Sequence, residues 1–168
     1  MEKGLISMER FTESSQAYFL THLHTDHTQG LTSKWGKGPL FCSKLTPKLL
    51  PFKFPDFNLS LLHVIDLHIW HSFSLISLTT GSQITTHVMA LDAHHCPEGV
   101  MFLFRREFGC LMYSGDFQWE VVSERAKDER SRLLNVLKNE TVDVVDITAS
   151  EPEHGIVIGI DTLGKKSF

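Results

Sequence analysis

Long apolar runs, paired cysteines and an excess of basic residues are all missing from this 168-residue chain. No stretch reaches eighteen consecutive apolar residues, so we expect neither a membrane-spanning helix nor a membrane partner. Cys42, Cys96 and Cys110 form no CxxC pair, which argues against a secreted disulfide framework and favours an intracellular protein. The net charge is −4, so bulk charge alone does not predict binding to a polyanion.

The remaining composition is that of one globular domain, with 42% hydrophobic and 21% charged residues. Apolar runs between turn residues predict strands at 17–20, 39–42, 59–65, 72–78, 83–91, 100–104, 110–113, 142–147 and 156–160. Two prolines predict a loop at 51–55, and apolar residues at helical spacing predict one amphipathic helix over 124–139. This pattern indicates a β-rich mixed fold built in layers.

Histidine is the unusual component, since there are 10 in the chain and the block HLHTDH at 22–27 directly follows the strand at 17–20. In an extended chain, side chains two residues apart share a face and lie about 6–7 Å apart, so His22 and His24 can reach one ion. Asp26 and His27 follow where the chain turns and can hold a second ion. A shuffled chain would contain HxHxDH about 0.002 times, which favours a site for zinc, manganese or iron over an accidental histidine cluster.

A second cluster, His94-His95-Cys96, stands where the strand at 83–91 runs out. Either of its histidines can complete a three-histidine site with those of the first block. Taken alone the cluster is weak evidence, because a histidine near a strand end is usually structural. We interpret Cys96 as a small buried residue rather than a nucleophile.

A third cluster, Ser114-Gly115-Asp116, follows the strand at 110–113. An aspartate after such a turn is most often a turn residue. In company with the other two clusters, Asp116 can bridge two metal ions about 3.5–4 Å apart. The three clusters together predict a binuclear hydrolase site.

Three segments carry a resemblance to a known family: AYFLTHLHTDHTQGLTSKWGKGPLFCSKLT, LDAHHCPEGVMFLF and LMYSGDFQW. They resemble the metallo-β-lactamase superfamily, and more closely its nucleic-acid branch, the β-CASP DNA cross-link repair nucleases. The later segment IVIGIDTLGK is also similar to the family, so the resemblance covers nearly all of residues 4–165. It implies an α/β (α+β) fold, the four-layer αββα sandwich, with the site at the edge of its two sheets.

The resemblance also assigns roles to individual residues. The metal ligands that it implies are His22, His24, Asp26, His27, His95 and Asp116. Asp26 and Asp116 are the implied catalytic carboxylates, with Asp116 bridging the ions. The implied cofactor is one or two divalent metals, zinc first, with manganese or magnesium as alternatives. Such ions lower the pKa of bound water and thereby provide hydroxide as the nucleophile.

The function implied by the resemblance is a metal-dependent 5′ to 3′ exonuclease in interstrand cross-link and double-strand-break repair. The implied substrate is DNA with 5′ ends, with processing of telomere ends as an extension, repair or telomere proteins as partners, and the nucleus as location. Two alternatives stay open. As the first alternative to the exonuclease, the chain is a truncated, catalytically weak or inactive product of such a gene. As the second, it is another metallo-hydrolase that acts on thioesters, lactams or RNA.

Three departures from the family pattern surround the expected site. Glu9 stands where the family usually has an aspartate, and its longer side chain is expected to act as an orienting acceptor. Glu98 replaces a glycine, so it is expected to disturb the turn or repel phosphate. Gln118 replaces a cationic residue. Five lysines between the first two clusters either follow the DNA backbone or form a solvated face: Lys34, Lys37, Lys44, Lys48 and Lys53.

Compared with the family pattern, 168 residues are expected to be fewer than a complete domain needs. We interpret residues 1–168 as the N-terminal part of an incomplete metallo-β-lactamase domain, with a family segment deleted near 145–146. Most of the β-CASP insert and the returning half of the domain are then lacking. Apolar sheet faces would lose their partners, and the expected consequences are poor stability, an oligomer or association with a chaperone.

Overall fold

The computed structural model describes residues 4–106, 109–120, 122–138 and 142–144. These residues form a mixed α/β structure with two sheets and two α-helices, which confirms the expected fold class. The predicted strand at 156–160 and the predicted deletion near 145–146 lie outside the described residues. Within the part of the chain that is described, neither helix has the length and apolar content needed to cross a membrane.

The first sheet contains four short parallel strands in chain order: β1 Ile6–Met8, β2 Ala17–Phe19, β3 Leu40–Cys42 and β4 Leu62–Val64. In its register, Ser7 pairs with Tyr18 and Tyr18 pairs with Leu40. All residues of β2 and β3 are buried. Continuous burial is typical of parallel strands that are covered on both faces.

The second sheet contains five strands: β5 His71–Ile76, β6 Gln83–Asp92, β7 Val100–Arg106, β8 Gly109–Tyr113 and β9 Val142–Val144. The first four are antiparallel neighbours, and β9 pairs with β8 in parallel. The hairpin of β7 and β8 confirms the predicted pair at 100–113. Side chains alternate along β6 and β7, so each strand sends one set of residues to each face of the sheet.

Aromatic rings fill the space between the two sheets. Phe19 stacks on Phe41 with ring centroids 4.7 Å apart. Phe102 and Phe104 of the second sheet meet the Phe19 ring edge-on, at 5.2 and 4.9 Å. Burying one such side chain contributes about 1.5–3 kcal/mol. This shared aromatic core fixes the two sheets to each other and thereby fixes the edge at which the histidines meet.

Each sheet carries one helix on its outer face. Helix α1, Thr46–Lys53, inserts the buried Leu50 into a cluster with Tyr18 and Leu40, whose side chains point away from the inter-sheet core. Helix α2, Glu124–Leu137, packs Leu133 among residues from the outer face of β6 and β7. The layers therefore follow the order helix, sheet, sheet, helix that the resemblance implies.

Two local predictions were wrong. Residues 51–55 were predicted to be a loop, but α1 continues to Lys53 with Pro51 inside it. Pro51 lies near the helix end, where its missing N–H removes a single backbone bond, and the buried Leu50 holds the turn in place. Residues 59–65 were predicted as one strand, but a short 3₁₀ turn at Leu59–Leu61 precedes β4.

Candidate metal centre

The three predicted clusters meet at one edge of the sandwich because each follows a strand that ends there. The block at 22–27 follows β2 of the first sheet, while His95 and Asp116 follow β6 and β8 of the second. The amide of Val100 donates to the carbonyl of Thr21 at 3.2 Å, which ties the two sheets together beside the site. The site is therefore built from both sheets.

One carboxylate oxygen lies at the centre of the cluster. Oδ2 of Asp116 is 3.8 Å from Nε2 of His22, 3.5 Å from Nε2 of His27 and 3.4 Å from Nε2 of His95. The fourth imidazole joins through His95, whose Nε2 is 3.2 Å from Nδ1 of His24. Asp116 itself is buried, while His95 is partly exposed and His24 is exposed, so the cluster opens to solvent on one side.

Two sets of donor atoms share Asp116. One set contains His22, His24, His95 and Asp116, and the other contains Asp26, His27 and Asp116. Within each set the donor atoms lie within 4.8 Å of one another. A third set joins His22 and His27 to Glu9. A carboxylate shared by two donor sets allows two divalent cations to be held close together.

The state of His22 tests whether these residues fit a cation. His22 is completely buried, its Nδ1 lies 2.9 Å from the Thr21 hydroxyl, and its Nε2 has no hydrogen-bond partner among the described residues. Burial, together with the neighbouring His27, His24 and His95, lowers the pKa of His22 to about 3. A neutral imidazole with an unused lone pair is costly to bury but is a good metal ligand, so the residues fit a divalent ion.

Asp26 and His27 differ in their exposure to solvent and in the direction in which their pKa values are shifted. The Asp26 side chain is 71% exposed. Slight desolvation raises its pKa, but a backbone hydrogen bond and the neighbouring histidines outweigh that effect, so the net shift is downward. Burial lowers the pKa of His27, but the hydrogen bond and charge of Glu9 outweigh burial, so the pKa is raised overall.

Glu9 contacts the cluster at the side of His27 opposite Asp116. Its Oε2 lies 2.6 Å from Nδ1 of His27 and accepts a hydrogen bond from the Tyr113 hydroxyl at 2.9 Å. Its Oε1 accepts from the amide of Thr21 at 3.0 Å and from the Thr21 hydroxyl. Glu9 has a left-handed backbone, with φ of 54°, and these bonds hold it there. The glutamate therefore lies within hydrogen-bond distance of His27, as the predicted orienting role requires.

Glu98 does not disrupt the turn that contains it. The side chain is buried, and its Oε1 accepts from the amide of Leu23 at 3.4 Å. The carbonyl of Leu23 accepts from Nζ of Lys53 at 2.6 Å. The backbone between His22 and His24 is thus held from two sides.

The remaining expectations concern residues beside the ligands. Burial and the neighbouring Glu98 raise the pKa of the half-buried Cys96 to about 11, so its thiol stays protonated near neutral pH. Between the two adjacent histidines, the structure brings His95 into the cluster and places Nε2 of His94 3.7 Å from Asp92. The Gln118 side chain is exposed, and the backbone N–H of Gln118 donates to the backbone carbonyl of Ala93 at 2.8 Å.

The roles of three residues were not predicted from the sequence: Thr21, Tyr113 and Lys53, the last of which was predicted only to follow the DNA backbone or to form a solvated face. The first two flank predicted clusters, since Thr21 precedes the histidine block and Tyr113 precedes Ser-Gly-Asp. Their position next to a predicted cluster was the only feature of the sequence that could have identified these two residues. Lys53 comes from α1, thirty residues away from the carbonyl that it binds, and nothing local in the sequence indicates that contact.

No protein-family model matches the chain. Among curated proteins, it is 32% identical to the 5′ exonuclease Apollo of Gallus gallus over 172 residues, covering 92% of this chain and 35% of that protein. It is 33% identical to protein artemis of Danio rerio over 167 residues, covering 89% of this chain and 25% of that protein.

A third relative is the DNA cross-link repair protein SNM1 of Arabidopsis thaliana, 36% identical over 107 residues, which are 63% of this chain and 20% of that protein. The chain thus spans about a third or less of the length of these relatives. Among solved structures, a chemotaxis sensor ODP matches with a TM-score of 0.41 and 19% identity over 74% of this chain and 50% of that chain.

Proposed function

Because the chain belongs, by homology over about 90% of its length, to the DNA cross-link repair nucleases of the metallo-β-lactamase/β-CASP family, we propose that it is a metal-dependent DNA nuclease. The observation that carries this proposal is the pair of donor sets that share Asp116. The buried Nε2 of His22, which has no hydrogen-bond partner within the described part of the chain, supports it independently.

Each of the two donor sets would hold one divalent ion. His22, His24 and His95 with Asp116 would hold one divalent ion, and Asp26 and His27 with Asp116 would hold the other. When bound, such ions supply the acidity that makes hydroxide from water at neutral pH and neutralise charge that develops on phosphoryl oxygens. Zinc suits these ligands, and manganese or magnesium are the alternatives.

The protein's own groups keep the site in working geometry. Glu9 fixes the His27 ring through the 2.6 Å contact to Nδ1, leaving Nε2 turned toward Asp116. Asp26 stays ionised and faces solvent, so we propose that its carboxylate accepts a hydrogen bond from the attacking water. Oδ2 of Asp116 lies within 3.8 Å of Nε2 of His22, His27 and His95, so its negative charge would be available to a cation in either donor set.

The net charge of −4 is compatible with a DNA substrate. Two divalent ions would be the largest local charges at the site and would attract a phosphate there. Of the five lysines between the first two clusters, Lys37 donates to the carbonyls of Phe11 and Thr12, both at 2.9 Å. Lys34, Lys44 and Lys48 are exposed to solvent, as contact with a DNA backbone requires.

The finer parts of the proposal concern direction, pathway and place. We propose digestion from the 5′ end, supported by the name of the Apollo relatives, and a role in cross-link repair, supported by the name of SNM1. A role in double-strand-break repair and telomere end processing, with repair or telomere proteins as partners, and a nuclear location complete the proposal.

The test is a nuclease assay on single-stranded DNA carrying a 5′ phosphate, with added zinc or manganese. The proposal predicts metal-dependent release of the 5′-terminal label before any internal fragment forms. His24→Ala and Asp116→Ala should abolish this release, while His63→Ala, which removes an exposed histidine outside the cluster, should retain it. A folded, metal-loaded chain that digests no DNA would overturn the proposal, and digestion of RNA, a thioester or a lactam alone would assign another hydrolase.

A further inference from the structure

Helix α1 and the two residues before it expose an apolar stripe. Phe52 is 87% exposed, Leu45 is 38% exposed and Leu49 is 37% exposed. Positions 45, 49 and 52 follow one another at helical spacing and therefore share one face of the helix. An almost fully exposed phenylalanine in line with two half-exposed leucines marks a surface for interaction.

Two exposed lysines accompany this stripe. Lys44 and Lys48 are exposed beside it, and residues 44–53 contain no aspartate or glutamate. We name the set of Lys44, Leu45, Lys48, Leu49 and Phe52 the α1 outer face. Two cations beside an exposed aromatic ring are the groups that contact the phosphates and the flat bases of a nucleic acid strand.

The end of α1 lies against the metal centre. Nζ of Lys53, the residue after Phe52, donates to the carbonyl of Leu23 at 2.6 Å and lies 3.5 Å from the Thr25 hydroxyl. Leu23 stands between His22 and His24, so Lys53 contacts the ligand block. Phe52, whose ring is exposed, is the residue before Lys53 in the sequence. The α1 outer face therefore belongs to the helix whose last residue contacts the ligand block.

We propose that the α1 outer face binds an unpaired segment of the DNA substrate, with a base stacked on Phe52 and phosphates neutralised by Lys44 and Lys48. This inference rests on the proposed nuclease function and adds the surface that binds the unpaired strand, since stacking on an exposed ring requires an unpaired base. A protein partner fits less well, because the charges of the face are all of one sign.

The test measures DNA binding without cleavage. The 168-residue chain is titrated in EDTA against a fluorescent single-stranded oligonucleotide with a 5′ phosphate and against a blunt duplex of the same sequence. Phe52→Ala should raise the Kd for the single strand about 5- to 150-fold, the range for loss of one base–aromatic stack. It should change the Kd for the blunt duplex much less.

Matched variants distinguish stacking from a general apolar contact. Phe52→Leu should lose affinity as Phe52→Ala does, whereas Phe52→Trp should retain it. Leu134→Ala, on the 64% exposed Leu134 of α2, should leave binding unchanged. Lys48→Gln should reduce the slope of log K against log salt by about 0.7, the value for one phosphate contact on a single strand.

The outcomes separate this inference from the proposed function. Unchanged single-strand affinity in Phe52→Ala, or full affinity in Phe52→Leu, would overturn the stacking site while metal-dependent digestion still supported the nuclease. A change in oligomeric state of Phe52→Ala, with DNA affinity unaffected, would assign the face to a protein partner and overturn the inference. A wild-type chain that neither binds nor digests DNA would overturn both.

Discussion

Asp116 and Glu9 have opposite positions relative to the four clustered imidazoles. Asp116 lies among their nitrogens, whereas Glu9 contacts the far side of His27 at Nδ1. A ring held from behind presents its other nitrogen in a fixed direction, and such orienting partners influence metal affinity although they do not touch the metal. The strength of the site therefore depends on residues outside the ligand set.

Glu9→Gln tests that dependence, because it keeps the size of the side chain but removes its charge. We expect it to weaken zinc binding about 10- to 100-fold, the usual effect of losing a ligand's orienting partner. A competition titration with a zinc chelator measures the change. Glu13→Gln, on an exposed glutamate, is the matched control. Zinc affinity equal to that of the wild type would show that Glu9 has no orienting role.

The pKa of His22 predicts an acid-sensitive metal-free protein. Its folded pKa of about 3 lies below the ordinary value of 6.5, so the unfolded chain binds the proton more readily. Folding stability should consequently fall as the pH is lowered from about 6.5 towards 3. His27, with a raised pKa, contributes in the opposite sense, since its stabilisation is present at low pH and is lost as pH rises through the folded pKa.

Urea denaturation in EDTA at a series of pH values measures the balance between these two histidines. His22→Asn should flatten the loss of stability on acidification, and His27→Asn should steepen it. Identical pH dependence in the wild type and both variants would contradict these assignments.

At the scale of elements, the strands that precede the three clusters were well predicted from the sequence, whereas β1 was not predicted. Runs of apolar residues located β2, β6, β7 and β8, and the clusters at their ends are the ones that meet. Local signals failed at α1, because burial of Leu50 outweighs the helix-breaking tendency of Pro51. Contacts such as Lys53 with Leu23 depend on how distant elements pack, which periodicity does not encode.

The turn after β8 brings Asp116 to the site through close packing at Gly115. A Cβ added at Gly115 would lie 2.8 Å from the Thr21 hydroxyl oxygen, and the residue has a φ of +51°. We expect Gly115→Ala to destabilise the protein by more than about 1 kcal/mol, the minimum for left-handed strain, and to weaken zinc binding by displacing Thr21.

Two other glycines are controls that distinguish the effect of backbone strain from the effect of a steric clash with Thr21. Gly81 has a φ of +72° with open space around its added Cβ, and Gly36 also has open space but no positive φ. Gly81→Ala should lose stability but retain zinc affinity, while Gly36→Ala should retain both. Urea denaturation and zinc titration of the three variants provide the comparison. Equal zinc affinity in all three would exclude a role for the close packing at Gly115.

At the scale of the whole molecule, the site depends on the joining of two sheets. The histidine block comes from one sheet, and His95 and Asp116 come from the other. The aromatic core between the sheets sets their separation, so folding and assembly of the site are one event. A cation bound only by the folded state should stabilise it by about 2.7 kcal/mol when its concentration is 100 times the Kd.

The central claim is that two donor sets share Asp116, and the stoichiometry of zinc binding tests it most directly. Calorimetric titration of the metal-free chain should show two zinc ions bound per chain. Asp116→Asn should lose tight binding of both ions, and His63→Ala should retain both. A wild-type chain that binds no zinc, or an Asp116→Asn variant that binds two ions as tightly as the wild type, would contradict the account.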